Sequence, residues 1–202
     1  PFEAAMVEFL AIGAHAVRRS ELAANDRVLV VGVGPIGLGV ALFARLRGAE
    51  VHLLDASPRR LEMIANKFGF ESTIDIEGGA DAIMAPTDGE GYDAVFDATG
   101  NASAIGAGFA YVAHGGTYVL VSVVTDTISF ADPEFNKREM KLVGSRNATR
   151  EDFETVVAAI KKGDIDTRAI RTHSARLETL PDQFNDLLKN RDTVIKAIVE
   201  VL

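Results

Sequence analysis

The pattern that most directly suggests chemistry is a set of three glycines with the spacing G-x-G-x-x-G: Gly32, Gly34 and Gly37. They follow an apolar, β-branched run at residues 28–31, and a second apolar run at 51–54 is followed at once by Asp55. Glycines with this spacing alone also occur in ordinary turns. The full order of strand, glycine turn, helix, strand and acid is typical of a dinucleotide site.

Each glycine has a physical role in such a site. Gly32 permits a tight turn after the strand, Gly34 lets the backbone approach a pyrophosphate without a Cβ in the way, and Gly37 lets the helix lie close to the sheet. The phosphate charge then meets free N–H groups at the positive end of a helix that begins near Pro35. Proline suits a first helical turn, because its missing N–H would have no partner there.

Asp55 bears on which dinucleotide binds. A carboxylate at this position can accept hydrogen bonds from the ribose hydroxyls of NAD, whereas it repels the 2′-phosphate of NADP. Arg59 and Arg60 follow within a few residues, and an arginine there can receive a phosphate. The pattern favours NAD and leaves NADP as the alternative.

The composition is that of an ordinary globular chain and argues against several functions. Its 202 residues suffice for one domain with flanking elements, and a net charge of −8 argues against a nucleic-acid surface. No apolar run approaches a membrane span and no signal pattern is present, so we expect no membrane association and a cytoplasmic location. The absence of cysteine excludes disulfides and thiolate zinc sites. Because residue 1 is proline, we expect the chain to be part of a longer protein.

Strands and helices alternate along the chain, which predicts an α/β fold with a doubly wound parallel sheet, the Rossmann fold. The predicted strands lie at 28–31, 51–54, 72–76, 92–97, 117–123, 127–130 and 140–145. The predicted helices lie at 2–18, 35–47, 57–68, 101–113 and 151–161, with a short, poorly packed one within 77–91. A polar turn is predicted at Asp132 and Pro133. Beyond residue 163 an extended piece at 170–177, a helix at 181–188 and a strand at 194–199 suggest an appendage.

Several segments together resemble the zinc-dependent medium-chain alcohol and polyol dehydrogenases, especially the sorbitol, threonine and sugar-acid dehydrogenase branch. The resemblance covers nearly the whole chain. The matching segments are residues 7–10 with Gly13, His15, Arg18 and Arg19, VGVGPIG at Val31, the acid Asp55, FDATGN at Phe96, HGGTYVLVSV at His114, and GSRNATREDFE at Gly144.

The resemblance implies a division of the chain. Residues 1–24 would be a linking helix, 25–163 an NAD-binding Rossmann domain, and 164–202 a segment that returns to a GroES-like catalytic domain. That domain normally precedes these residues and binds zinc and substrate, and the present sequence lacks it. The family also implies a homodimer or homotetramer, and the predicted strand at 127–130 is a candidate edge for pairing, the alternative being a covered edge.

The resemblance also assigns cofactor residues one by one. Gly32, Gly34 and Gly37 match the phosphate turn, with Pro35 and Ile36 beside it, and Asp55 matches the ribose acid. Arg60 and Thr99 would lie beside the adenosine. The strand end Val121, Ser122 and Val123 would bond the nicotinamide amide through its backbone, and Ser145 and Arg146 would close over the nicotinamide half.

Metal and catalytic residues are less well defined. Glu8 falls where this branch keeps a glutamate near the catalytic zinc, although an acid near a helix start also has a purely structural explanation. His15 is expected to pack or meet water, and no two of the four histidines show metal-site spacing. We therefore assign no catalytic residue, and we expect zinc in the full-length enzyme but not in this chain.

These observations predict the cofactor-binding part of an NAD-dependent, zinc-dependent dehydrogenase that oxidises a secondary alcohol, a polyol or sugar acid, to a ketone. The substrate would be a small molecule held largely by the missing domain. Two alternatives stay open: a non-catalytic NAD-binding module, and an S-adenosylmethionine-dependent methyltransferase, which also uses a glycine turn followed by an acid.

Overall fold

A six-stranded parallel sheet forms the centre of the computed structural model, which describes residues 2–201. Residues 1 and 202, which the predicted domain ranges include, lie outside the described residues. The strands of this sheet are β1 (Arg27–Val31), β2 (Glu50–Leu54), β3 (Ser72–Ile74), β4 (Tyr92–Asp97), β5 (Val112–Leu120) and β6 (Lys141–Gly144). Their spatial order is β3-β2-β1-β4-β5-β6, and every neighbouring pair is parallel. The predicted doubly wound sheet is confirmed.

Helices connect the strands and cover the sheet. They are α1 (Ala4–Arg19), α2 (Pro35–Leu46), α3 (Pro58–Phe68), α4 (Gly79–Met84), α5 (Ala102–Gly108), α6 (Asp132–Lys137), α7 (Arg150–Lys162), α8 (Thr167–Ile170) and α9 (Leu180–Lys189). Beyond them, β7 (Arg171–Arg176) and β8 (Lys196–Glu200) form a separate two-stranded sheet. Among residues 2–201, no helix is both long and apolar enough to cross a bilayer.

Local sequence signals explain where the helices start and stop. The Ser57 side chain accepts a hydrogen bond from the Arg60 N–H and caps α3, and Gly69 ends that helix at φ +65°. Thr149 and Asp152 form a reciprocal capping box at the start of α7. These caps fix the directions in which the chain enters the helices beside the sheet.

The core lies on both faces of the sheet. Along β1, Val28 and Val30 belong to one buried cluster, whereas Leu29 belongs to the other. Burial on both sides explains why the strands are near-continuous apolar runs. On the first face α1 packs tightly on α2, since a Cβ on Gly13 would overlap the backbone of Gly39.

Three predicted elements were wrong. The helix at 101–113 ends at Gly108, and β5 begins at Val112, whose side chain is fully buried, and continues through the two glycines that suggested a turn. The predicted strand at 127–130 is absent, because Phe130 stacks on Phe109 with ring centroids 4.8 Å apart instead of pairing in the sheet. Residues 132 and 133 start α6, where an acid and a proline suit the first turn.

Candidate functional site

The carboxyl ends of the parallel strands meet along one edge of the sheet. The order of strands reverses between β1 and β4, and ligands of such sheets bind in the crevice outside this point. Five of the predicted cofactor residues directly or closely follow strands at this edge: Gly32 after β1, Asp55 after β2, Thr99 soon after β4, Val121 after β5 and Ser145 after β6. The fold therefore brings together residues that are far apart in sequence.

The glycine turn leaves space only where a phosphate would need it. Gly32 has φ +85°, and a Cβ there would lie 3.1 Å from the backbone of Ala98. A Cβ on Gly37 would overlap the carbonyl oxygen of Gly32. A Cβ on Gly34, by contrast, would meet no described atom within 4 Å. The turn is thus closed on the protein side and open beside Gly34.

Helix α2 presents its amide end to this open space. The Leu38 N–H donates to the carbonyl of Gly34 at 2.8 Å, which is the first bond of the helix. The N–H groups of Ile36 and Gly37 precede it and have no acceptor within the helix. Pro35 has no N–H, so its contribution is the fixed helical backbone and the donor beside it is Ile36.

Asp55 is held against the glycine turn. Its side chain is 7% exposed, Oδ2 accepts the N–H of Val33 at 2.8 Å, and Oδ1 accepts the N–H of Ser57 at 2.8 Å. Each carboxylate oxygen has a further lone pair that a sugar hydroxyl can use. Arg60 lies beside it, with Nη1 3.8 Å from Asp55 Oδ2. The acid is therefore fixed in position before any ligand arrives.

Asp97, at the end of β4, is a site residue that was not predicted from the sequence. It is fully buried, and Oδ1 accepts hydrogen bonds from the Thr99 N–H, the Thr99 hydroxyl and the Ser122 hydroxyl. Its backbone oxygen accepts the N–H groups of Val121 and Ser122. Burial raises the pKa of Asp97, although the bonds from Thr99 and Ser122 oppose this. Oδ2 has no hydrogen-bond partner among the described residues.

The structural role of Asp97 is to join two predicted cofactor segments. Thr99 belongs to the turn after β4, and Ser122 belongs to the segment after β5. One carboxyl group therefore fixes the distance between them. The signal that could have revealed it is an ionisable residue at the end of an otherwise apolar strand, since such groups are rarely buried without a partner.

The remaining predicted residues differ in exposure. Val123 is 78% exposed and leaves an apolar side chain at the site edge. Ser145 is buried, and its N–H donates to the carbonyl of Leu120 at 2.9 Å, which ties β6 to β5. Arg146 is exposed. Since Val121 and Ser122 spend their N–H groups on Asp97, only Val123 of these three can offer its N–H to a ligand.

A further apolar wall lies next to Asp55. Ile76, just after β3, is 45% exposed and lines a cleft between α3 and β3 that also reaches Asp55 and Pro58. An exposed large apolar side chain beside a polar site suits the face of a flat ring. Ile76 was not predicted as a site residue, because the sequence placed it at the end of the strand predicted at 72–76, whereas β3 ends at Ile74.

The structure does not bring Glu8 together with other metal ligands. Glu8 is exposed on α1. Within residues 2–201 no group of three or more histidine, aspartate or glutamate side chains is arranged to hold a metal ion. His15 lies on the same helix, with Nδ1 2.8 Å from Asp152 Oδ2, and so it joins α1 to α7. A zinc site needs about four ligands, which the described residues do not assemble by themselves.

Comparison with known proteins gives a family and several relatives. A family model described as zinc-binding dehydrogenase matches residues 35–162. L-galactonate-5-dehydrogenase from Escherichia coli (strain K12) is 40% identical over 201 residues, covering 98% of this chain and 59% of that protein. Sorbitol dehydrogenase 1 from Saccharomyces cerevisiae is 27% identical over 206 residues, covering 98% and 57%.

Solved structures agree with this result. The crystal structure of 2R,3R-butanediol dehydrogenase from Bacillus subtilis matches with a TM-score of 0.87 at 25% identity, covering 97% of this chain and 56% of that chain. The present chain therefore spans less than two thirds of the length of each of these relatives.

Proposed function

Because the chain belongs to the zinc-binding dehydrogenase family, we propose that it forms the NAD(H)-binding part of a dehydrogenase that oxidises a secondary alcohol to a ketone. The relatives named for L-galactonate and sorbitol support a sugar acid or a polyol as the substrate class. The observation that carries the proposal is the arrangement beside β1, where the strand order reverses. There the open glycine turn, the N-terminus of α2 and the fixed carboxylate of Asp55 lie next to one another.

The described residues fit NAD in three parts. The pyrophosphate would occupy the space beside Gly34 and accept hydrogen bonds from the Ile36 and Gly37 N–H groups. The adenosine ribose would donate to Asp55, and the adenine ring would lie against Ile76. NAD, when bound, supplies the hydride acceptor, and the protein's contribution is to hold and orient it.

The nicotinamide half would lie along the ends of β5 and β6. There Val123 offers an N–H and an exposed apolar side chain. Asp97 would act indirectly, since it holds Thr99 and Ser122 in place. Ser145 and Arg146 would form the far wall, with the arginine as a cation facing phosphate or substrate.

The support for zinc binding by this chain is weaker than the support for NAD binding. Glu8 can supply one carboxylate ligand, and we propose it as a contributor to a zinc site completed elsewhere. No step of the reaction is assigned to a metal here, because the described residues do not assemble a site.

The division of the chain follows from the same proposal. Residues 1–24 would link to a catalytic domain, 25–163 would bind the cofactor, and 164–202 would pack on that catalytic domain. Helix α9 supports the last point because none of its residues is fully buried, and its apolar Phe184 and Leu188 are 52% and 57% exposed. A homodimer or homotetramer is proposed by analogy with the family.

The alternative function is a non-catalytic NAD-binding module. A longer reading frame that encodes zinc ligands would argue for the enzyme. The methyltransferase alternative is disfavoured, because the family model that matches this chain describes a zinc-binding dehydrogenase.

A thermal-shift comparison of NADH, NADPH and S-adenosylmethionine tests the proposal. A ligand that binds only the folded state at about 100 times its Kd stabilises by about 2.7 kcal/mol, so NADH is expected to raise Tm by about 5–10 °C. NADPH should give a smaller shift and S-adenosylmethionine none. An equal or larger shift with S-adenosylmethionine, or none with NADH, would overturn the proposal.

A further inference from the structure

Arg60 joins the predicted adenosine site to the C-terminal part of the chain. Its Nη2 donates to the backbone oxygen of Arg191 at 2.8 Å and lies 3.4 Å from Asp192 Oδ1. Its Nη1 lies 3.8 Å from Asp55 Oδ2. One guanidinium therefore lies between an acid of the cofactor site and an acid that is 137 residues further along the chain.

These residues line one cleft. It runs from Asp55 along the start of α3 to the loop between α9 and β8, and it contains three arginines and two aspartates: Arg59, Arg60, Arg191, Asp55 and Asp192. The Arg60 side chain is 21% exposed, whereas Arg59 and Arg191 are exposed residues. Asp192 is 47% exposed and lies at the outer rim.

We infer that Asp192 is a second specificity-determining residue, which acts through Arg60 to favour NAD(H) over NADP(H). The inference rests on the proposed function, because it concerns the same adenosine site. Asp55 contributes the first acid, directly at the ribose. Asp192 contributes the second by occupying the arginine that a 2′-phosphate would need.

Electrostatics gives the reason. A 2′-phosphate next to Asp55 requires a cation, and an arginine is the residue that receives it in sites for NADP. Arg60 is the nearest described candidate, but its Nη2 is already committed to Arg191 and Asp192. A bound phosphate would have to displace these contacts and would also face the negative charge of Asp192. Without that carboxylate, Arg60 can turn to the phosphate at lower cost.

The experiment measures a ratio of affinities on the full chain. Adenosine 2′,5′-bisphosphate represents the adenosine half of NADP, and 5′-ADP represents that of NAD. Both are titrated by calorimetry into the wild type, Asp192→Asn, Asp186→Asn, Arg60→Gln and the double variant Arg60→Gln/Asp192→Asn. Asp186→Asn is the matched control, because it makes the same charge change on α9 at an acid whose described ion pair is with Lys189 and not with Arg60.

Asp192→Asn is expected to shift the affinity ratio toward the bisphosphate by about three- to fivefold, the range that a partly exposed ion pair supports. Asp186→Asn should leave the ratio at the wild-type value. The double variant should show the same ratio as Arg60→Gln alone, because the effect of Asp192 passes through that side chain.

An unchanged ratio in Asp192→Asn, or a shift that survives the loss of Arg60, would overturn the inference and leave the proposed function standing. A wild type that prefers the bisphosphate would overturn it as well. If neither nucleotide binds to the folded wild-type chain, the proposed function fails and this inference fails with it.

Discussion

Asp55 has one established task and one proposed task. Its carboxylate accepts the backbone N–H groups of Val33 and Ser57, which fixes the glycine turn and the start of α3. We propose that its further lone pairs accept hydrogen bonds from the ribose. A substitution at this residue must be designed to keep the first task.

Asp55→Asn is expected to weaken NADH binding by about 10- to 100-fold, because hydrogen bonds to a charged acceptor contribute about 1.5–3 kcal/mol. The amide oxygen can still accept one backbone N–H, so the fold should persist. Calorimetric titration with NADH measures the loss. Glu90→Gln is the control, an exposed acid just before the opposite end of β4. Equal affinities in Asp55→Asn and the wild type would count against the ribose contact.

Asp97 should make stability depend on pH. Burial raises its pKa in the folded chain, so its contribution to stability is complete below the unfolded-state pKa of about 3.9 and is lost as pH rises through the folded value. Asp97→Asn stays neutral throughout. Its free energy of unfolding should therefore increase relative to wild type as pH rises from about 4 to 8. Urea unfolding at several pH values measures this difference, and a difference that does not change with pH would contradict it.

At the scale of elements, the start of α2 contains one glycine that the fold requires and one that it does not. Gly37 is needed by the protein itself, since a Cβ there would overlap the carbonyl of Gly32. Gly34 is not, because its neighbourhood is open. The two positions therefore allow a matched pair of alanine substitutions within one turn.

Gly37→Ala is expected to lower Tm by about 2–12 °C, the effect of a strained contact of about 1–3 kcal/mol in a chain of this size. Gly34→Ala should lower Tm by no more than about 4 °C, since alanine is only a poorer helix cap than glycine, yet it should abolish most NADH binding. Thermal unfolding and NADH titration of both variants provide the check. Normal NADH affinity in Gly34→Ala would mean that the phosphates lie elsewhere.

Helices α1 and α7 are joined by a second buried acid. Burial alone would raise the pKa of Asp152, but hydrogen bonds from Arg18, Thr149 and His15 hold it well below the usual range for a carboxyl. The Arg18 Nε lies 2.8 Å from Asp152 Oδ1. This network fixes the end of the loop that contains Ser145 and Arg146.

Asp152→Asn should cost about 2–4 kcal/mol of stability at neutral pH, because it leaves a buried network with unpaired donors. The depressed pKa makes the acid's contribution complete above the unfolded value of about 3.9 and lost as pH falls toward the folded value. The gap between wild type and variant should therefore narrow below about pH 4, opposite in sense to Asp97. Urea unfolding from acid to neutral pH tests this, and a gap that widens in acid would refute it.

Most of the elements could be predicted because the signals were local. Strands β1, β2 and β4 are short, mainly apolar runs, and Ser57 and Gly69 delimit α3. The errors arose where tertiary contacts, rather than local sequence, determined the secondary structure. Phe130 lies in an alternating run but stacks on Phe109, and β5 continues through glycines because Val112 is buried beside Tyr92 of β4.

For the whole molecule, the site residues also divide into those that the sequence predicts and those that it does not. Gly32, Gly34, Gly37 and Asp55 form a motif whose spacing is visible in sequence. Asp97 and Asp192 have no such spacing, because their roles depend on which segments the sheet and the C-terminal part bring side by side. Sequence patterns reveal residues whose spacing is set by one strand–helix–strand unit, and they miss residues that join segments farther apart in the chain.

The central claim is that the backbone at the start of α2 holds a dinucleotide pyrophosphate. The most direct measurement is calorimetric titration of NADH into the folded chain and into Gly34→Ala. The account predicts one site with submillimolar affinity in the wild type and its near-complete loss in the variant at nearly unchanged Tm. No binding heat with the folded wild type at about 1 mM NADH, or equal binding by both proteins, would contradict it.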